Sequence, residues 1–269
     1  MGIESISILA IPRTGTNYLC GLMGRFKEID SLYEIYHHQA VYMGNKSLAS
    51  NVIKHINYKY QLKIKDCSDS IFIDFVAQNP QEILQIIHQQ SQHKYISFKI
   101  FPNHLSPQCL TKAIIKNNRI KKILVKRNLL DAYLSFKFAQ MTKTWRDRDT
   151  SNLKLRFEED NFISWVTSAQ NYYDFVESQS NNIESEIAII NHEEIHGFKS
   201  DRNKFFFLFY FLRSIGLELN EDNLSNNQLK KLSNLRNKQD NRTNVLDKVI
   251  NPQTLLDVLK NNQLEYLLS

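Results

Sequence analysis

The chain has 269 residues, of which 42% are hydrophobic, so it is long enough to bury a full core as one domain over residues 1–269. Its formal net charge of +6 and pI near 9.0 suit a polyanionic ligand, and would equally suit nucleic acid or an anionic surface. The three cysteines are odd in number and lack metal-ligand spacing, which favours a reducing compartment. No apolar run is long enough for a signal-peptide core or a membrane span, so we expect a cytoplasmic protein.

The start of the chain predicts a strand, an anion-binding turn and a helix. An apolar run from Ile6 leads into a turn marked by Pro12 and Gly15, and helix-like sequence resumes before Cys20. The free backbone N–H groups of the following helix would point at a phosphate or sulfate in this turn. It is not the loop of a nucleotide triphosphatase, because the GxxxxGK spacing is absent and no Lys follows Gly15.

Short apolar strands and helices alternate along the rest of the chain, which predicts an α/β fold with a parallel sheet covered on both faces. The predicted strands are 71–76, 96–101, 123–126 and 187–190, and the predicted helices are 17–28, 40–65, 80–92, 110–116, 157–179 and 205–215. The last of these helices is so apolar that it belongs in the core, and it is too short to span a membrane.

A second phosphate-binding segment is predicted where the strand 123–126 ends. Arg127 follows that strand directly, Asn128 is a good helix N-cap, and Asp131 stands where a capping carboxylate would. Ser135 lies close to two helical turns beyond Asn128 and so returns to the same face. Arg127 and Ser135 can therefore converge on one phosphate, the first as a forked cation and the second as a neutral donor.

Together the two segments resemble the sulfotransferase family, which uses 3′-phosphoadenosine 5′-phosphosulfate (PAPS) as its sulfuryl donor. Residues 12–16 (PRTGT) resemble the family's 5′-phosphosulfate loop, and Arg127 with Ser135 resembles its 3′-phosphate motif. Further landmarks resemble the family's in the same order, at Glu34, at 97–104 and at 189–195. The resemblance covers residues 5–262 and implies a three-layer, P-loop-like parallel sheet flanked by helices. Arg13 replaces the commoner Lys, and His192 stands where a Tyr usually precedes the Glu.

The resemblance also implies which residues bind the donor. They are Arg13, Thr14, Gly15, Thr16 and Asn17 of the loop, Arg127 and Ser135 of the second motif, and Lys238 and Arg242 of a basic segment before the terminal helices. For the last pair, a solvated surface loop is the alternative interpretation.

Four residues are predicted to act in catalysis. Arg13 and Lys99 would stabilise charge on the departing phosphate oxygen, although Lys99 also fits a solvated strand end. The resemblance implies Glu34 as the preferred general base, at the position of the family's catalytic Glu, and His104 as the second candidate. His37 and His38 flank Glu34 and are either part of the acceptor pocket or hydrogen-bond donors around it. No His, Asp, Glu or Cys cluster has metal-ligand spacing, so we expect no metal.

The predicted function is metal-free, in-line transfer of a sulfuryl group from PAPS, leaving adenosine 3′,5′-bisphosphate (PAP). The acceptor would be a hydroxyl or nitrogen of a small molecule: an alcohol, a sugar, a lipid-linked glycan or a secondary metabolite such as a saxitoxin-type alkaloid. One alternative is an ATP-dependent small-molecule kinase, against which the missing Lys counts. Another is a basic, non-enzymatic module for nucleic acid or acidic glycans, whose affinity would collapse with salt. We expect no nucleic-acid partner, and the sequence leaves the oligomeric state open.

Overall fold

A computed structural model describes residues 4–145, 148–180, 186–225, 229–232, 240, 242 and 244–268. Over these residues the strands form one five-stranded sheet. They are β1 (Ser5–Ala10), β2 (Ile29–Ser31), β3 (Tyr95–Ile100), β4 (Ile120–Lys126) and β5 (Ile187–Asn191), in the order β2-β3-β1-β4-β5. Every neighbouring pair is parallel, so the carboxyl ends of all five strands meet at one edge of the sheet.

Helices connect the strands and cover the sheet. They are α1 (Thr16–Met23), α2 (Lys46–Tyr60), α3 (Ser70–Gln78), α4 (Pro80–Gln90), α5 (Pro107–Leu110, continued by a π-helical turn at Thr111–Ile115), α6 (Leu129–Thr142), α7 (Glu159–Ser180), α8 (His192–His196), α9 (Asp201–Ser214) and α10 (Pro252–Asn261). None of the helices in the described ranges is long and apolar enough to cross a bilayer.

The central strand β1 shows why the fold has three layers. Successive side chains of a strand point to opposite faces, and those of β1 enter two separate apolar clusters. Ile6 and Ile8 pack with α1 and α9 on one face, whereas Leu9 packs with α2, α4, α6 and α7 on the other. The predicted α/β architecture, a parallel sheet flanked by helices, is confirmed.

One predicted strand is wrong. Residues 71–76 lie inside α3, which begins because the carboxylate of Asp69 accepts the backbone N–H of Ile71. The helix buries Phe72, Phe75 and Val76 along one face. The pattern of apolar residues in so short a run is compatible with either a strand or a helix. Here the N-cap residue Asp69 at its start favours the helix.

Three further elements differ from the sequence prediction. The helix predicted over 17–28 ends at Met23, and Gly24 is its C-cap. The helix predicted over 40–65 is shorter, because Asn45 caps it by accepting the N–H groups of Ser47 and Leu48. Strand β2 was not predicted, since it has only three residues and two of them, Asp30 and Ser31, are polar. The other predicted strands, at 96–101, 123–126 and 187–190, are confirmed with small shifts at their ends.

Candidate active site

The loop between β1 and α1 has the backbone geometry of an anion-binding turn. Gly15 precedes α1 in the left-handed conformation, with φ 79°, and Arg13 also has a positive φ of 73°. The hydroxyl of Thr14 donates to the carbonyl of Ile11 at 2.9 Å and so closes the turn. The N–H groups of Thr16 and Asn17, the first two residues of α1, have no acceptor within the helix, which makes this helix end favourable for an anion.

Two stacked imidazoles cover this loop. The rings of His192 and His196 lie 4.0 Å apart, and His196 also packs on the ring of Tyr18. A Cβ atom at Gly15 would lie 2.8 Å from Cδ2 of His192, so no larger residue fits there without a shift. Burial lowers the pKa of His192. From the sequence, His192 is only a departure from the family pattern. The loop follows β1 and α8 follows β5, and these two strands are brought together by their pairing with β4 and not by proximity in sequence.

The two predicted donor motifs are joined by direct hydrogen bonds. Nε of Arg13 donates to Oγ of Ser135 at 3.0 Å, and Nη1 of Arg13 donates to the carbonyl of Trp145 at 2.6 Å. Nη1 of Arg127 donates to the carbonyl of Arg13 at 2.7 Å. Arg13, Arg127 and Ser135 therefore meet beyond the carboxyl ends of β1 and β4. Their assignment as donor ligands stays a prediction. The contact to Trp145 was not predicted.

The residues Arg13, Arg127 and Ser135 form a junction between the two motifs. Burial of its two guanidinium groups gives this junction an electrostatic preference for anions. Burial, together with the nearby charge of Arg127, lowers the pKa of Arg13 to about 10. Burial also lowers the pKa of Arg127, whose Nε is shielded from solvent and has no hydrogen-bond partner among the described residues. A buried N–H without a partner is costly, so this atom is suited to an anionic ligand oxygen.

The basic segment near the carboxyl end is described only in part. Lys238 lies outside the described residues. Arg242 is held by Asp240, to which it donates at 3.0 and 2.7 Å, and by the carbonyls of Leu153 and Thr150. Its guanidinium lies 5.4 Å from the ring of Phe138, one turn beyond Ser135 on α6. Its assignment as a donor ligand stays a prediction.

The predicted base is linked to the donor loop through Lys99. Nζ of Lys99 lies 2.8 Å from Oε1 of Glu34 and donates to Oδ1 of Asn17 at 2.6 Å. Lys99 is 1% exposed, which excludes the alternative of a solvated strand end. The side chain of Asn17 therefore accepts a hydrogen bond from Lys99, and Lys99 connects the first turn of α1 to Glu34.

Two imidazoles face the other oxygen of Glu34. Nε2 of His104 lies 3.6 Å and Nε2 of His37 lies 4.0 Å from Oε2 of Glu34. Burial lowers the pKa of His104 to about 4 and also lowers that of His37, so both rings are neutral at pH 7. His38 is exposed and stacks on His37.

The backbone fixes the tautomer of both rings. The N–H of Phe101 points at Nδ1 of His104 at 3.3 Å, and the N–H of Gln39 points at Nδ1 of His37 at 3.1 Å. A backbone N–H can only donate, so each Nδ1 is an acceptor and each neutral ring carries its hydrogen on Nε2. Both Nε2–H groups therefore point toward Glu34. This arrangement depends on loop geometry, which the sequence does not reveal.

A comparison with protein families identifies the family of this chain. A model described as the sulfotransferase domain matches residues 4–210, well over half of the chain. The chain belongs to the sulfotransferase domain family. Among solved structures, the sulfotransferase domain from the curacin biosynthetic pathway is similar with a TM-score of 0.49 and 10% identity, covering 98% of this chain and 99% of its own. No curated protein matches.

The acidic and imidazole groups of this sulfotransferase also have the composition of a metal site. Glu34, His37 and His104 offer ligand atoms that all lie within 4.8 Å of one another, a cluster that sequence spacing did not show. Metal ligation requires a lone pair, however, and both Nε2 atoms carry hydrogens in the observed hydrogen-bond arrangement. A metal ion would need each imidazole to give up its backbone N–H partner. The cluster as built is suited to donating hydrogen bonds from the two imidazoles and accepting a proton at Glu34.

Proposed function

We propose that this sulfotransferase moves the sulfuryl group of PAPS to a small-molecule acceptor without a metal ion, and releases PAP. The junction of Arg13, Arg127 and Ser135 is the observation that carries the proposal. It brings two cations and a hydroxyl beside a loop whose helix N-terminus favours anions. A ligand with separate 3′ and 5′ anionic groups would use both parts of this junction.

The donor-binding residues divide between two anionic groups. Arg127 and Ser135 would hold the 3′-phosphate, and Arg127 would do so through Nε, which no group in the described part of the chain occupies. The backbone of residues 14–17 would hold the 5′-phosphosulfate. Arg13 lies between the two motifs and would stabilise negative charge on the departing phosphate oxygen. Lys238 and Arg242 remain proposed ligands from the basic segment.

Glu34 would act as the general base. Lys99 occupies its Oε1, so Oε2 is the oxygen that is left to receive the acceptor's proton. When bound, PAPS supplies an electrophilic sulfur with a phosphate leaving group. The link from Asn17 through Lys99 to Glu34 positions the base relative to the donor loop. His104 would shape the acceptor side of the site and would not take the proton.

The acceptor is proposed to be a small alcohol, sugar or secondary metabolite, processed in the cytoplasm by a single-domain enzyme that does not bind nucleic acid. Saxitoxin-type alkaloids remain within this class as acceptors. The ordered set of landmarks along the chain resembles the bacterial sulfotransferases that modify small glycans and secondary metabolites more than the animal cytosolic enzymes, which supports this proposal.

A transfer assay tests the proposal. The protein is incubated with PAPS labelled in its sulfur, EDTA and a small-molecule extract, and we expect a labelled organic product. The Arg127→Ala and Glu34→Gln variants are controls that should form much less of it. Transfer of labelled phosphate from ATP that needs magnesium, with no transfer from PAPS, would contradict the proposal and indicate a kinase.

A further inference from the structure

A cavity of about 330 Å³ opens at the amino end of the sheet. Its wall includes Ser5 and Ile120, the first residues of β1 and β4, which are paired in the sheet. The proposed donor site lies beyond the carboxyl ends of the same two strands, roughly 17 Å away along β1 at about 3.3 Å per residue. The cavity is therefore separate from the donor site, and its volume lies within the usual range of small-molecule pockets, about 300 to 1,000 Å³.

Two lysines give this cavity an excess of positive charge. Lys112 and Lys116 line the cavity and are exposed, and neither forms an ion pair with any residue in the described part of the chain. The other charged residues of the described wall, Arg119 and Glu4, form an ion pair with each other. The counter-charge of the two ammonium groups must therefore come from solvent ions or from a ligand.

The two lysines belong to an unusual turn of helix. Residues Thr111–Ile115 are π-helical, and the N–H of Lys116 donates to the carbonyl of Thr111, five residues back, at 2.9 Å. This wide turn places Lys112 and Lys116 about one turn apart, and both line the cavity. Because π-helical turns are rare and frequently occur at functional sites, this departure from the α-helix is a second observation that points to a ligand.

Side-chain amides and a small apolar surface complete the wall. The amides of Gln85 and Asn118 form no hydrogen bond within the described residues, and the side chain of Asn117 uses only Oδ1, which accepts a backbone N–H at 3.0 Å. A primary amide both donates and accepts hydrogen bonds, so it matches the hydroxyl groups of a sugar. Leu84 and Ile120, both buried, supply an apolar surface for the CH groups of a sugar ring.

We propose that this cavity is a second binding site, for a sugar that carries a monoester oxyanion, either a sulfate or a phosphate. The oxyanion pairs with Lys112 and Lys116, because ammonium groups form charge-assisted hydrogen bonds with such oxygens. The sugar hydroxyls bond to the amides of Gln85, Asn117 and Asn118. Neither an uncharged sugar nor an inorganic anion uses both parts of this wall. The site does not depend on the proposed function, since none of these residues belongs to the donor motifs.

Calorimetry of the full chain tests the site. The protein is saturated with PAP, which occupies the proposed donor site, and is titrated with glucose 6-sulfate or glucose 6-phosphate at physiological ionic strength. We expect the preferred ester to bind with a Kd of ~1 mM or below, which tells sulfate from phosphate. Glucose, inorganic sulfate and inorganic phosphate should bind at least about 10-fold more weakly. No binding of either ester up to ~10 mM, or equal binding of the inorganic anion, would overturn the proposal.

Charge-matched variants locate the binding. The double variant Lys112→Gln/Lys116→Gln should weaken binding of the ester by about 10-fold or more. The control Lys54→Gln/Lys63→Gln removes the same charge from exposed positions outside the cavity and should leave the affinity unchanged. Gln85→Ala should weaken the ester and not the inorganic anion, with circular dichroism as the check of folding. Equal losses in the two double variants would overturn the proposal. Failure to bind PAP would contradict the proposed function, whereas the comparison of these variants does not need PAP.

Discussion

Nε of Arg13 donates a hydrogen bond to Oγ of Ser135 at 3.0 Å, across 122 residues of sequence. The bond forms because β1 and β4 are neighbours, with Ala10 paired to Val125, so the residues that follow the two strands meet at one edge. It makes the loop cation and the hydroxyl of the second motif parts of one site. A change in either residue should therefore affect donor binding.

The first prediction concerns donor affinity. Arg127→Ala removes a charged donor and should weaken PAP binding by about 1.5–3 kcal/mol, whereas Ser135→Ala removes a neutral donor and should cost about 0.5–1.5 kcal/mol. Isothermal titration calorimetry measures both, with circular dichroism as the check of folding. Unchanged affinity in folded Arg127→Ala would show that Arg127 does not bind the 3′-phosphate.

The second prediction separates fixed cations from a metal. EDTA should leave sulfuryl transfer largely intact, while Arg13→Ala should lower kcat by on the order of 100-fold or more, because one donor to the developing charge is lost. Arg148→Ala is the matched control, since Arg148 is exposed. Steady-state rates at saturating PAPS give the result. Activity that disappears with EDTA and returns with magnesium would contradict the mechanism.

The third prediction assigns the base. Glu34→Gln keeps the shape of the side chain and removes the proton acceptor, so kcat should fall by about 10²–10⁴-fold with PAP affinity retained. His104→Ala should lower kcat less, because its ring already carries a hydrogen on the nitrogen that faces Glu34. Turnover near wild type in Glu34→Gln, with collapse in His104→Ala, would reverse the assignment.

The fourth prediction uses two glycines with positive φ. Gly15 has φ 79° and Gly216 has φ 92°, so alanine at either position should cost about 1–2 kcal/mol of unfolding free energy. Only Gly15→Ala also collides with His192, whereas the nearest atom to a Cβ at Gly216 is 3.6 Å away. Gly15→Ala should therefore lose PAP binding, and Gly216→Ala should keep it. Urea unfolding and calorimetry compare the two, and equal PAP affinity would show that the loop tolerates the side chain.

The fifth prediction concerns pH and stability. Burial lowers the pKa of His104 from an ordinary value near 6.5 to about 4. Between these values the unfolded chain binds a proton that the folded protein does not. The stabilising contribution of His104 to the unfolding free energy is therefore fully present above pH 6.5. It falls as the pH drops toward 4, by at most about 1.4 kcal/mol per pH unit.

The variant His104→Gln tests this contribution. The Gln side chain can still accept the N–H of Phe101 but does not titrate in this range, so stability should fall less steeply than in the wild type. His37 and His192 also have lowered pKa values and should keep part of the slope in both proteins. Urea unfolding at several pH values measures the slopes. Identical slopes would show that His104 is protonated equally in the folded and unfolded states.

The sequence predicted the elements whose cause is local. Strand β4, the Asn128 cap and helix α6, which place Arg127 and Ser135 in the structure, are all encoded within a few residues. The apolar run at 71–76 was mistaken for a strand, since its period is ambiguous and only the cap at Asp69 distinguishes the two structures.

Features that depend on tertiary contacts could not be predicted from the sequence. The pairing of Lys99 with Glu34 and Asn17 joins three separate elements, and no spacing in the chain indicates it. The tautomers of His37 and His104 depend on which backbone N–H each loop turns toward the ring. The packing of His192 on Gly15 likewise required the three-dimensional structure.

The most direct test of the central claim, donor recognition through the 3′-phosphate, is calorimetric comparison of PAP with adenosine 5′-monophosphate, which lacks that group. The account predicts that wild-type protein binds PAP about 10- to 100-fold more tightly without metal, and that Arg127→Ala abolishes most of the difference. Equal affinity of the wild type for both nucleotides, or tighter binding of ATP with magnesium, would contradict it.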